Sequence, residues 1–307
     1  MDLLLQQLIN GLTLGSIYAL VALGYTMVYG IMELINFAHG EIVMIGALTA
    51  LAVIQALAGV ALPGPLILLV GVLSAIPVCM AVGFSVERIA YRPLRKAPRL
   101  APLITAIGVS IVLQNLAMLI WGKQYISFPA VFTATPMHLG GATITDLQIF
   151  IILLSALIMA ALLVLVQNTR LGRAMRATAQ NPQVAGLMGV NIDRIISLTF
   201  VIGSALAAVA GVMVSAYYGL AHYHMGFLLG LKAFTAAVLG GIGNIAGAML
   251  GGLLLGIIES LGAGYIGDLT GGFLGSNYQD VFAFFVLILV LVFRPSGLLG
   301  ERVGERA

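Results

Sequence analysis

The chain has 307 residues, of which 61% are hydrophobic and 8% charged, and a formal net charge of +3. A soluble domain carries about 25% charged and 45–50% apolar residues, so a water-soluble enzyme or binding module is excluded and an integral membrane protein is expected. The cations stand between apolar runs, not on a soluble basic face, which argues against a nucleic-acid partner.

The apolar runs are uniform, rich in Leu, Ala and Gly, and many approach the roughly 20 residues that cross a bilayer as a helix. Barrel strands would be about 10 residues long and alternate in polarity, so the predicted fold class is all-α. The first run, 3–29, begins MDLLLQQLING, with no basic start and no small-residue cleavage site, and reads as a retained helix. Its Gly11, Gly15 and Ala19 lie four apart on one face. Such rows let membrane helices approach closely, within the chain or between subunits. INFAHGE, residues 35–41, then opens the second run, 36–58. A charge at the bilayer centre costs about 2.5–3.5 kcal/mol on the insertion scale, so Glu41 must lie near the interface, be paired, or face water. Two readings stay open. Asn36, Phe37, His39, Gly40 and Glu41 form either a polar turn at the inner headgroups or a broken helix lining a path or its inner gate.

The third run, 64–87, holds the one cysteine, Cys79, read as a small apolar filler. Arg88, Arg92, Arg95, Lys96 and Arg99 follow as a first cationic group. After the fourth run, 101–121, the segment 122–146 carries only Lys123 and Asp146 as acidic or basic charges. Gly122-Lys123 lacks the glycine spacing of a phosphate loop, and no G-x-x-x-x-G-K-[ST] occurs, so this chain is not expected to hydrolyse ATP alone. The fifth run is 147–167.

The segment 170–194 contains the second cationic group, Arg170, Arg173, Arg176 and Arg194, interleaved with Leu171, Met175, Val184, Leu187, Met188 and Val190. Asn181 is a good N-cap, Pro182 suits a first helical turn, and Gly189 can stop a helix. The pattern predicts a short amphipathic helix over about 183–188, held under the membrane. It would either bind anionic headgroups or dock a cytoplasmic partner. The sixth run, 195–217, has its own small row, Gly203, Ala207, Gly211 and Ser215. His222 and His224 beyond it do not share a helix face and have no carboxylate or cysteine beside them. An outer-interface aromatic cluster with Tyr217, Tyr218 and Tyr223 is expected there, and no metal site.

The seventh and eighth runs, 227–242 and 246–263, form a hairpin around LGGIGNIAGAMLGG, residues 239–252. This is a second glycine-broken segment, with Gly243 and Asn244 at its turn and a row at Gly243, Gly247 and Gly251. Transporters place such breaks in both halves, with free helix ends aimed at the substrate. Lys232 and Glu259 are the only charged residues of the hairpin. At 1.5 Å rise per residue their depths differ by about 4–5 Å, so they either pair or snorkel separately to the outer interface. The ninth run, 279–293, leads to Arg294, Arg302 and Arg306.

The three groups hold 5 + 4 + 3 = 12 of the 14 basic residues. With all three in the cytoplasm, two runs separate the first pair of groups and four the second, both even, and three precede the first. The parity gives nine crossings with the N-terminus outside and the C-terminus cytoplasmic, or eight if the second or seventh run is re-entrant. No loop is long enough to be a soluble domain, so residues 1–307 read as one membrane domain.

Four stretches carry a resemblance: NGLTLGSIYALVALGYTMVYGIMELINFAHGE, GRAMRATAQNPQVAGLMGVNIDR, VLGGIGNIAGAMLGGLLLGIIE and FRPSGLLGE. In order and over nearly the whole length, the chain resembles the membrane permease of bacterial ABC importers for branched-chain amino acids, the H-type subunit of the leucine–isoleucine–valine system. The resemblance implies a multi-pass protein of the inner membrane that works by alternating access. It implies a second related permease, two cytoplasmic ATPase subunits and a periplasmic amino-acid-binding protein as partners. ATP and Mg would be used on the ATPases, with no cofactor on this chain. It makes 170–194 the coupling segment, with Arg173, Arg176, Ala177, Ala179, Asn181, Pro182, Ala185 and Gly189 facing an ATPase, though no acidic residue precedes the alanines as in other importer classes. An aliphatic zwitterion needs polar points, for which Asn36 and Asn244 serve, and an apolar wall. Rival readings are the same machine carrying urea or a short amide, an ion-coupled secondary transporter using Glu41 and Glu259, and a membrane scaffold without a path.

Overall fold

A computed structural model of the chain describes residues 2–57, 63–95, 97–98, 100–130, 136–139, 141–273, 275 and 278–300. Lys96, Arg99, Arg302 and Arg306 lie outside them. Each of the nine apolar runs forms a helix. In chain order these are α1 (Asp2–Met32), α2 (His39–Ala56), α3 (Gly64–Val86), α4 (Leu100–Trp121), α5 (Asp146–Asn168), α8 (Ile192–Tyr218), α9 (Met225–Gly240), α10 (Ile245–Leu269) and α11 (Gln279–Phe293). Two further helices, α6 (Arg170–Gln180) and α7 (Pro182–Leu187), lie between α5 and α8. Seven of the helices are long and apolar enough to cross a membrane, whereas α9 and α11 have 16 and 15 residues. The protein is an all-α polytopic membrane protein. The break of the INFAHGE region precedes α2 and does not interrupt it: residues 33–38 are non-helical, and Glu33 turns the chain at φ +53°.

The helix starts follow from their caps. Thr145 and Gln148 form a reciprocal capping box on α5, with bonds of 3.3 and 3.0 Å. Asn191 accepts from Arg194 N at 3.0 Å to open α8, and Asn244 accepts from Gly247 N at 3.0 Å to open α10.

The packing is centred on α1, α2 and α8, which are largely buried. By contrast α3, α4, α5 and α11 turn apolar side chains such as Leu119, Ile104 and Phe285 outward, as lipid-facing helices do. The small-residue rows all serve contacts within the chain. On α1, Gly11 meets Ile257, Gly15 meets Leu253 and Ala19 meets Gly252, so α10 runs antiparallel to it. On α8, Gly211 lies on Val43 and Ala47 of α2, and Gly203 on Gly24 of α1. On α10, Gly247 and Gly251 lie against Gly240 and Ala236 of α9.

The two ends of the bundle differ in chemistry. At one end Gln6 near the start of α1 bonds Thr143 of the hairpin formed by β2 (Met137–Leu139) and β3 (Ala142–Ile144), at 2.8 and 3.1 Å. β1 (Ile126–Ser127) pairs there with β4 (Leu220–Ala221). At the other end Arg95 bonds Asp193 at the head of α8, and the chain after Arg294 returns to α9 through Leu298 N to Leu239 O, 2.9 Å.

A Cβ at Gly15 would stand 2.7 Å from the carbonyl oxygen of Leu253, a backbone atom, while nothing lies within 4 Å of one at Gly108. Overpacking of this kind costs about 1–3 kcal/mol. Gly15→Ala is therefore expected to lower the thermal midpoint of the detergent-purified protein, and Gly108→Ala to leave it unreduced. Equal midpoints for the two variants would contradict the α1–α10 contact.

Candidate functional site

Four helices bring charge together near the N-terminal end of the bundle. Lys232, in the second turn of α9, places Nζ 2.7 Å from Glu259 Oε1 of α10 and 2.8 Å from Asp280 Oδ1 in the first turn of α11. The Tyr18 hydroxyl of α1 is 3.5 Å from the same nitrogen, and the Tyr18 ring centre 5.8 Å. Gln279 donates to Glu259 Oε1 at 3.4 Å. Glu259 is 1% exposed, and its Oε2 has no hydrogen-bond partner among the described residues. One cation thus faces two carboxylates. Asp280 and Tyr18 were absent from the sequence reading, because spacing cannot say that α11 and α1 converge on the α9–α10 hairpin.

Above Lys232 opens a cleft of about 320 Å³, walled by Tyr18, Tyr125, Tyr218, His222, Leu228 and Leu229 among others. Its polar rim is an aromatic stack. Tyr125 lies on His222 with ring centres 4.2 Å apart, Tyr223 packs on the same imidazole at 4.3 Å, and Tyr217 meets Tyr218 edge-on at 5.3 Å. His222 Nε2 also meets the carbonyl oxygen of Lys123 at 3.1 Å, so the loop 122–130 closes one side. The aromatic cluster expected around His222 and His224 therefore gains Tyr125, from a loop far away in sequence.

The INFAHGE residues lie apart from this cleft and are enclosed. Asn36, His39 and Glu41 are 2%, 2% and 0% exposed, so none of them faces open space in this structure. Asn36 Oδ1 accepts from the Tyr91 hydroxyl at 2.7 Å. His39 packs edge-on to Tyr25 at 4.9 Å, in a space that a side chain at Gly24 would fill. Glu41 Oε1 accepts from Ser110 at 2.9 Å and Gln114 at 2.7 Å, both on α4. Its Oε2 would be 2.7 Å from a Cβ at Gly226, and Gly40 lies on Gly226 and Gly230 of α9. Phe37 is half-buried against Phe234, 6.0 Å away. Asn36 Nδ2, His39 Nε2 and Glu41 Oε2 lack hydrogen-bond partners among the described residues. Gly243 and Asn244 stand elsewhere, at the exposed α9–α10 turn, where Gly243 has φ +95° and Asn244 Nδ2 donates to Leu299 O at 2.8 Å.

The segment 170–194 is more structured than a single short helix. α6 buries Gly172, Met175 and Thr178 and exposes Arg173 and Ala179, with Ala177 half-buried. Arg176 turns back to cap α5, donating to the carbonyls of Val166 and Gln167. α7 covers 182–187, with Asn181 capping Val184 N at 3.0 Å, Pro182 in the first turn, and Gly189 at φ +86° just beyond it. Ala185 is 4% exposed in the chain alone, and Val190 N donates back to its carbonyl at 3.0 Å. The exposed apolar surface is Val184, Leu187 and Met188, the last two 87% and 81% exposed. Glu87, which is fully buried, takes Arg92 at 3.3 Å, Arg95, and Ser197 at 2.8 Å, tying the end of α3 to α8. Sequence reading treated these arginines only as a loop charge.

Removing one partner of a buried ion pair costs about 3–5 kcal/mol, because the others stay charged and unpaired. Lys232→Met is expected to lower stability by about that amount. Adding Glu259→Gln and Asp280→Asn should recover most of the loss. Thermal melts of the purified single and triple variants read this; a triple variant no better than Lys232→Met would contradict the network.

The comparisons with known proteins agree on one family. The model described as "Branched-chain amino acid transport system / permease component" matches residues 7–291. The chain is 51% identical to the high-affinity branched-chain amino acid transport system permease protein BraD of Pseudomonas aeruginosa, and 48% to LivH of Escherichia coli K12. Both alignments cover 98% of this chain and 97% of the relative. A shorter similarity, 30% over 64% of this chain and 54% of the relative, joins it to the autoinducer 2 import system permease protein LsrC of Yersinia pseudotuberculosis. A match that runs through all but the terminal residues, on a bundle of membrane helices, means that this chain belongs to the family of branched-chain amino acid transport permease components.

Proposed function

We propose that this chain translocates leucine, isoleucine and valine across the bacterial inner membrane, as one of two related permeases in an ATP-driven importer. As a permease component it is a transport protein and not an enzyme. ATP and Mg are used by two ATPase subunits on the cytoplasmic side, and a periplasmic binding protein delivers the amino acid. The described members of the three cationic groups share one end of the bundle, which supports placing that end in the cytoplasm. With α9 and α11 counted, this gives nine crossings and an outside N-terminus.

The observation that carries the coupling reading is α7. Leu187 and Met188 are almost fully exposed on a short helix at the cationic end, while Ala185 anchors that helix to its own chain. An apolar surface there suits an ATPase groove better than water. Motion of α6 and α7 would pass into α8, which begins at Ile192, and through the Arg95–Asp193 and Arg92–Glu87 contacts into α3 and α4. Asn36, His39 and Glu41 would then serve as an inner gate. Their unpartnered polar atoms favour a second arrangement that satisfies them, since buried polar groups usually find partners.

Cargo is the point at which relatives diverge, since one is named for autoinducer 2 import. The full-length relatives at 48–51% identity are named for branched-chain amino acids, which favours that cargo over urea or an amide.

The double variant Leu187→Glu/Met188→Glu is expected to insert normally yet lose binding-protein-stimulated ATP hydrolysis about tenfold or more, as when an interface anchor worth at least ~1.4 kcal/mol is removed. ATPase rates of the assembled complex in liposomes measure it. Normal stimulation would place the docking surface elsewhere.

A further inference from the structure

We propose that the cleft above Lys232 is the site where this permease receives a single zwitterionic aliphatic amino acid from the outer side; this rests on the amino-acid import reading. Three independent features converge there. The first is shape. The cleft, about 320 Å³, falls within the roughly 300–1,000 Å³ of ordinary small-ligand sites. The second is its lining: Val214, Met225, Leu228 and Leu229 form an apolar wall beside the polar Tyr218 and Lys232. An aliphatic side chain needs only the first kind of surface, and an amino-acid head group needs the second.

The third feature is charge. Lys232 lines the cleft, and behind it Glu259 and Asp280 pack against the same side chain. Its two carboxylate partners leave a local excess of one negative charge. A free anion is repelled by that excess, and a bare cation would change the charge of a largely buried cluster. A zwitterion does neither. Its carboxylate joins Lys232 Nζ while its ammonium takes a carboxylate oxygen. Glu259 does not itself line the cleft; its Oε2, buried behind Lys232 and unpartnered among the described residues, is the acceptor that the exchange at Lys232 opens to it. Asp280, whose side chain is 31% exposed against 1% for Glu259, is the partner that can yield its hold on Lys232 at least cost. The Tyr18 hydroxyl, 3.5 Å from Nζ, steadies the lysine during the exchange. Recognition of the head group is thus a swap of ion pairs with no net charge buried, which keeps the desolvation cost low. Because the swap is readily reversed, such a site holds cargo loosely, as a permease fed by a binding protein requires.

The test uses the assembled transporter in nanodiscs free of ethanolamine lipids, so that no headgroup supplies the zwitterion. Leu228→Cys puts a thiol in the cleft, and Leu220→Cys gives a second position should the first fail to assemble. Leu119→Cys, 76% exposed on α4, is the control outside it. Labelling of this chain by a small methanethiosulfonate reagent is followed by mass spectrometry. Leucine at about four times its dissociation constant should slow labelling at 228 or 220 about fivefold, since one site in five stays free, and leave 119 unchanged. Leucinamide, which lacks the carboxylate, and 4-methylpentanoate, which lacks the ammonium, should protect little at the same concentration. Equal protection by all three would overturn the proposal and leave only an apolar groove. No protection by leucine, in an assembly whose wild type imports leucine, would overturn the site while the import reading stands. A wild-type assembly that imports no branched-chain amino acid would overturn the import reading, and the site with it.

Discussion

Gly15 of α1 and Gly252 and Gly256 of α10 leave no room between their helices for a single Cβ, and the rest of the molecule depends on that closeness. In a bilayer no hydrophobic force pushes helices together, because lipid is as apolar as leucine. Contact then rests on dispersion between surfaces that fit and on polar groups that find each other. Backbone-to-backbone packing supplies the fit. It also brings Tyr18 of α1 to the hairpin in which Lys232 and Glu259 face one another, so a charge cluster too costly to hold on one helix is shared among four. The same logic holds at α2, where Gly40 meets Gly226 and Gly230 closely enough to enclose the Glu41 carboxylate.

Hydropathy alone made the helices legible, since each run longer than a core helix needs could only be a span. Charge placement made one end of the bundle legible as well. Arg95 of the first cationic group touches Asp193 of the second segment, so the two groups share an end as parity required. What stayed hidden was tertiary. Glu41 is partnered by Ser110 and Gln114, 69 and 73 residues away, and nothing in their spacing betrays it. Asp280, at the head of the ninth run, went unnoticed because no spacing shows that α11 packs against α9. The burial of Ala185 within α7 was equally hidden, since a lone alanine between apolar neighbours does not show which way it faces. α6 was missed although Leu171, Met175 and Thr178 repeat at helical spacing, because the arginines between them drew the segment towards a loop reading.

The polar clusters are not scattered. The exposed face of α7 adjoins the start of α8, where Asp193 and Ser197 hold Arg95, Arg92 and Glu87. Beyond the residues that follow Arg95 comes α4, which carries Ser110 and Gln114 to Glu41. Glu41 in turn lies on Gly226 at the head of α9, and Lys232 stands six residues further along the same helix. Contact of this kind is a physical connection and not by itself a coupling, which requires an element with two arrangements that both sites bias.

That element is best sought where buried polar atoms lack partners. Asn36 Nδ2 lies within the non-helical residues 33–38, His39 Nε2 and Glu41 Oε2 lie just after them, and Glu259 Oε2 lies beside Lys232 of the cleft. A rigid helix cannot easily turn a side chain towards a new partner, but the chain between α1 and α2 can reorient without breaking helical hydrogen bonds. The helices around it carry glycine at each close approach: Gly24 beneath His39, Gly226 and Gly230 beneath Gly40, and Gly203 beside Gly24. Smooth glycine faces fix the distance between helices while leaving them free of interlocking side chains. Sliding along such faces breaks few contacts, whereas separation would lose them all. Packing of this kind would therefore favour shear over separation as the route between two arrangements of the helices.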